Sequence, residues 1–226
     1  MIRLVFSPSW FVGIDNIFEL VTVFVTLLIA IYSHKLYKFT KENSYRLFSY
    51  SFFLISISYL VKILMDISIY YPKMKIIRAG AFTFITQTFQ RFEAYYAVGF
   101  FVERFLLLLG LLGIFFVLHK VKDKKVGFLL IYLAFVSALF GNYLFHIFHI
   151  TTSLLLLYIC YYYYKNYSKN RSKNSFLVAS SFFLIFVSQI IFITLLIHPI
   201  MYVIGESVQL LGYLILLFTF ISILKK

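Results

Sequence analysis

Residues 126–164 read VGFLLIYLAFVSALFGNYLFHIFHITTSLLLLYICYYYY, and the fold turns on them. Drawn as one α-helix at 1.5 Å per residue, the stretch would be about 60 Å long, twice the hydrocarbon thickness of a bilayer. Both flanks are basic: Lys120, Lys122, Lys124 and Lys125 precede it, and Lys165, Lys169, Arg171 and Lys173 follow it. Basic loops gather on one side of a membrane, so the chain must leave that side and return to it. Two helices, 126–143 and 145–164, meet the requirement with a tight turn near Gly141-Asn142.

The remaining spans are plain. Segments 15–37, 45–70, 94–119, 176–197 and 205–224 each reach the roughly 20 apolar residues that a crossing needs. The reading is therefore an all-α polytopic membrane protein forming one seven-helix domain over residues 1–226. Helices are dictated because bare backbone finds no hydrogen-bond partner in lipid. Segment 73–93 sets Phe82, Phe84, Phe89 and Phe92 among Gln, Thr and Arg. It either lies on the membrane interface or continues the third helix outward. Tyrosines near span ends, such as Tyr95, Tyr96 and the run 161–164, read as an interfacial aromatic belt.

Composition agrees. Hydrophobic residues are 62% of the chain and charged residues 13%, which excludes an ordinary soluble domain. The net charge of +13 does not call for nucleic acid, because its distribution explains it. Lys35, Lys38, Lys41 and Arg46, the two groups flanking 126–164, and Lys225 and Lys226 all fall on one face under a seven-span count. Lipid headgroups are their partners. The positive-inside rule puts that face in the cytoplasm, with the N-terminus out, the C-terminus in, and the chain integral to the cell membrane. No cleaved signal is apparent. Cys160 is the single cysteine, so no intrachain disulfide can form. Two glycosylation sequons, at Asn166 and Asn170, fall in a basic loop assigned to the inside and are discounted.

An internal repeat suggests itself. The run beginning Thr26-Leu27-Leu28 in the first span resembles that beginning Ser153-Leu154-Leu155 in the fifth. Ser51-Phe52-Phe53-Leu54-Ile55 recurs as Ser181-Phe182-Phe183-Leu184-Ile185. Prolines, Pro72 and Pro199, close the second and sixth spans. The plan is three helices, one linker and three helices in parallel, with a three-residue difference between the two inner loops. This register sets Glu19 opposite His146 and Thr22 opposite His149.

Ionisable side chains inside spans mark candidate sites. Glu19, Thr22, Thr26 and Ser33 share one face of the first helix. Lys62 and Asp66 on the second are four apart and placed to pair. Glu103 shares a face with Gly99, Gly110 and Gly113, small residues that mark close helix contact. Arg104 is its neighbour, and the two would form the central pair of a site for a zwitterionic or anionic ligand. His146 and His149 share a face and could hold a divalent metal, completed by a glutamate. Glu206, Gln209 and Tyr213 line the last helix. The charged, His and Gln members sit in the outer half while the inner half is Leu, Ile, Val and Phe, as in a cup rather than a channel.

The chain has no H-E-x-x-H, no G-x-S-x-G and no glycine-rich phosphate loop, so an enzyme is not the leading reading. Span count and orientation resemble microbial opsins and seven-helix receptors. A retinal pigment needs a lysine within the last helix, which has none before Lys225, so retinal is not expected. The three-one-three plan resembles small sugar transporters of the SWEET type, although the prolines here (Pro8, Pro72, Pro199) are not within the first helices.

The expectation is a binding or sensing module that takes a small polar ligand or ion into an outward-facing pocket built from Glu19, Glu103, Arg104, Glu206 and Gln209. A metal site at His146 and His149 is a lesser candidate. A small secondary transporter using the same site is the alternative, and a metal-dependent intramembrane enzyme comes third. The last span stops two residues before the end of the sequence, so a signal would pass through a partner protein at the inner loops.

Overall fold

The computed structural model describes Ser7, Pro8 and residues 10–70, 84–121, 123–141 and 144–224. Its elements in chain order are α1 (Ile14–Thr40), α2 (Asn43–Tyr70), α3 (Phe84–His119), α4 (Lys124–Gly141), α5 (Phe145–Asn170), α6 (Lys173–Ile193), a 3₁₀ turn (Thr194–Leu196) and α7 (Ile200–Leu224). Among the described residues, seven helices are long and apolar enough to cross a membrane, the make-up of a multi-pass integral membrane protein.

The stretch 126–164 divides as its length requires, α4 ending at Gly141 and α5 starting at Phe145. Asn142, expected in the turn, lies outside the described residues, as do Pro72, Phe82 and residues 73–83 of the outer segment. Residues 84–93 are helical and continuous with α3. Near Pro199, α6 gives way to a 3₁₀ turn and α7 begins at once, five residues ahead of the expected start. A proline disfavours helix in the residue before it but suits a helix start. His198 Nδ1 then accepts the Ile200 N–H at 3.2 Å, satisfying one of the free donors at that end.

The helices form a ring. α2 packs between α1 and α3, and α6 between α5 and α7. Contacts of α1 with α7 and of α3 with α5 join these triplets, while α4 packs on α3 and α5. Outward faces are apolar, as Phe53, Leu60, Phe183 and Ile190 illustrate, and small polar residues turn inward. Ser49 and Ser56 on α2 donate to the carbonyls of Ala30 and Val23 on α1, at 2.8 and 3.2 Å. Such links, with close approach at glycine, are how helices associate where no hydrophobic effect drives them together.

One expectation needs correction. The loops joining α1 to α2 and α5 to α6 are both two residues long, Lys41-Glu42 and Arg171-Ser172. Lys41 and Arg171 adopt left-handed conformations, and each donates its N–H to a carbonyl four residues back, Tyr37 and Tyr167. The three-residue difference between the loops is therefore absent, and like positions lie 130 residues apart in both helices of each pair. Thr22 Oγ1 donates to Phe18 O as Thr152 Oγ1 does to Phe148 O. At the 130-residue offset that the caps share, Glu19 aligns with His149, whereas the Leu-rich strings alone had set it opposite His146.

The third helices match as well. A Cβ on Gly110 would sit 2.5 Å from Ile55 and 2.8 Å from the Ser51 carbonyl. A Cβ on Gly212 would sit 2.7 Å from Ile185 and 3.0 Å from the Ser181 carbonyl. These are the residues that the two similar strings place in register.

Candidate functional site

The chemistry collects where α1, α2 and α7 meet. Lys62 of α2 lies 2.7 Å from Glu19 Oε1 of α1 and 2.7 Å from Glu206 Oε1 of α7. Both carboxylates are buried, and the lysine keeps 19% of its side-chain exposure. The Glu206 contact is a hydrogen bond donated by Lys62. The Glu19 contact is an ion pair by distance but is not aligned as a hydrogen bond, and neither oxygen of Glu19 has a hydrogen-bond partner. One ammonium thus serves two buried carboxylates. The Tyr202 ring lies 5.7 Å from the ammonium, a cation–π contact from the N-terminal end of α7. Below it the Tyr59 and Tyr213 hydroxyls meet at 3.4 Å.

Helical spacing explains the convergence. Glu19, Thr22, Thr26 and Ser33 are all buried on α1, as the stripe predicts. Lys62 does not pair with Asp66, one turn along its own helix; it reaches across to the neighbouring helices instead. A same-helix pair would have left Glu19 and Glu206 buried without a counter-charge, which is far costlier.

Glu103 and Arg104 meet only at 3.9 Å, the outer limit of an ion pair. Ser58 Oγ donates to the Glu103 carbonyl at 2.8 Å, fixing α3 on α2. Arg104 turns the other way, over the rings of Phe100 and Phe148 at 5.8 and 5.5 Å and beside Gly141 of α4. This pair flanks the cluster on one side and is not its hub.

A second polar group lies across the bundle. His149 Nδ1 is 2.9 Å from Gln189 Oε1, and Gln189 Nε2 donates to Gln209 Oε1 at 2.9 Å. The chain ties α5 to α6 and α7. With Gln189 Oε1 as acceptor, His149 carries its proton on Nδ1. His146 stacks on Phe145, their ring centroids 3.8 Å apart, and its buried Nδ1 has no hydrogen-bond partner. The Phe145 ring touches both histidines, lying 6.0 Å edge-on from His149, and among the described residues no three His, Cys, Asp or Glu side chains are grouped to hold a metal ion.

Of the residues singled out from sequence, Glu19 and Glu206 come together, Gln209 and His149 join the amide chain, and Glu103 and Arg104 lie to one side of the cluster. The residue missed as a hub is Lys62. Its signal was present, since it is the only lysine in the middle of a span and no nearby interface could take its ammonium. No family model, curated protein or solved structure matches the chain.

Proposed function

We propose that the protein binds a small cation, inorganic or a protonated amine, from the outside at the Glu19–Lys62–Glu206 cluster. The observation that carries this is the imbalance of charge: two buried carboxylates share one ammonium, and Glu19 Oε2 has no hydrogen-bond partner. Buried charge is costly unless paired, so a further positive charge at Glu19 is favoured. Asp66, one turn from Lys62 on α2, adds to the attraction, Glu103 is offset by Arg104 at 3.9 Å, and Gln209 lies one turn from Glu206. The basic end of the bundle faces the cytoplasm, which turns the cluster outward.

The test uses the single tryptophan. Trp10 packs on Phe11, Phe11 on Tyr202, and Tyr202 on Lys62. Protein in nanodiscs, titrated with sodium, potassium or ammonium at constant ionic strength, is expected to give a saturable change in Trp10 fluorescence that Glu19→Gln removes. A flat response to every cation would sink the proposal.

A second reading, transport, has an observation of its own. The two triplets share the Gly110 and Gly212 contacts and the Lys41 and Arg171 caps, which supports a duplicated three-helix unit joined by α4. Lys62 and Glu206 belong to different triplets, so the cluster straddles the seam along which parallel repeats rock in alternating access. On this reading Glu206→Gln abolishes uptake into proteoliposomes while the helical content stays unchanged.

A further inference from the structure

At the basic end lies a feature that the cation site does not use. A groove of about 170 Å³ opens between α2, α3 and α4, with Leu47 and Leu54 on one wall, Leu109 and Phe116 on another and Ile131 of α4 on the third. Its origin is in the packing. Gly113 brings α3 down on Ser51 of α2, and α4 rests on α3 and α5, so the space between α2 and α4 stays open. Leu47 and Leu54 are four and eleven residues into α2, so the groove runs from about 6 to 17 Å along it, close to the depth of one leaflet. Its lining is almost wholly apolar. The volume is near the roughly 150 Å³ that accepts a benzene-sized hydrocarbon in a dry cavity.

The mouth is cationic. Arg46 immediately precedes Leu47. Lys124 and Lys125 open α4, whose Gly127 abuts the Phe116 ring. All three cations are exposed; Asp123 stands at the same turn, but its Oδ1 accepts the Lys125 backbone N–H at 2.8 Å, and among the described residues no carboxylate lies within ion-pair distance of the three side chains. Arg46 rests over the Tyr37 ring of α1, 5.6 Å from its centroid, and reaches the mouth by swinging off that ring.

We infer that this groove holds one anionic phospholipid, an acyl chain lying between α2 and α4 and the headgroup phosphate on Arg46, Lys124 and Lys125. The charge of the mouth selects the occupant. A second copy of the chain seated symmetrically here would bring two such cation groups together, and a zwitterionic headgroup would add its own cation to three others. The inference stands apart from the cation site and would survive its failure.

Native mass spectrometry of the full chain in mild detergent tests it, with phosphatidylglycerol and phosphatidylcholine of identical chains as probes. One phosphatidylglycerol per protein is expected to be retained where phosphatidylcholine is lost. Arg46→Gln, Lys124→Gln and Lys125→Gln together should weaken retention by about a hundredfold, at roughly fivefold per charge. Ile131→Trp fills the groove from the exposed side of α4 and should remove the lipid with every charge in place. The control Lys165→Gln, Lys169→Gln and Lys173→Gln removes as much charge from another loop and should leave the lipid bound. Equal retention of the two lipids, survival of binding in Ile131→Trp, or a loss in the control as large as in the groove variant would each overturn the assignment. So would a dimer that Ile131→Trp dissociates while lipid retention is unchanged.

Discussion

The α1–α2 pair and the α5–α6 pair are built alike and equipped differently. Both end at a basic left-handed cap, both carry a threonine bonded to the carbonyl of a phenylalanine one turn back, and both receive a glycine of the third helix on a Ser/Ile step. At the level of the site they part. Glu19 meets Lys62 at 2.7 Å, whereas His149 meets Phe192 with ring centroids 5.3 Å apart. Tyr59 of the first pair corresponds to Gln189 of the second. One half thus holds charge that needs balancing, and the other holds a neutral chain whose donors and acceptors satisfy each other. The scaffold is carried by small residues and caps, and the chemistry by two or three side chains set upon it.

The comparison breaks most visibly at Lys62. Lys62→Met leaves Glu19 and Glu206 buried with no ammonium between them, and should cost about 3–5 kcal/mol or prevent folding altogether. Adding Glu19→Gln and Glu206→Gln to Lys62→Met should recover most of the loss, as followed by thermal melting in detergent. If Lys62→Met melts with the wild type, the cluster is not the charged centre described here.

The shared scaffold makes a different prediction. Gly110→Ala and Gly212→Ala each force a methyl group into a neighbouring carbonyl and isoleucine, and each should cost about 1–3 kcal/mol. The two losses should agree within roughly 0.5 kcal/mol, the spread of unrelated surface changes. A large cost at one glycine and none at the other would mean that the halves only look alike.

The smallest effect is expected at the threonines. Thr22→Val and Thr152→Val each remove a bond to a carbonyl that already has a helical partner, so each should change stability by less than about 1 kcal/mol. Equal small losses sharpen the comparison. A large loss confined to Thr22 would tie it to the charge cluster.

Most of the fold could be read from the order of residues, because length and charge leave few choices. A 39-residue apolar run between basic flanks must double back, and the structure breaks it at Gly141. Helix ends were less legible: α7 starts at Ile200, just after Pro199, because of local cap chemistry, which hydropathy does not register. The matching Ser-Phe-Phe-Leu-Ile strings were visible in the sequence, but the 130-residue spacing of the caps of α1 and α5 was not. The site was legible as a set of inward-facing stripes and not as a set of pairs. Which acid a lysine chooses depends on helix rotation and on the cost of leaving another acid alone. Thus Glu103 and Arg104, adjacent in sequence, drew attention that belonged to Lys62.

The central claim is that Glu19, in the charged half, accepts a further cation that the neutral half cannot. Infrared difference spectroscopy on adding the cation reads this directly, because it follows the carboxylate stretch itself. The account predicts a band shift in the wild type that vanishes in Glu19→Gln and persists in His149→Gln. A difference spectrum unchanged by Glu19→Gln would contradict it.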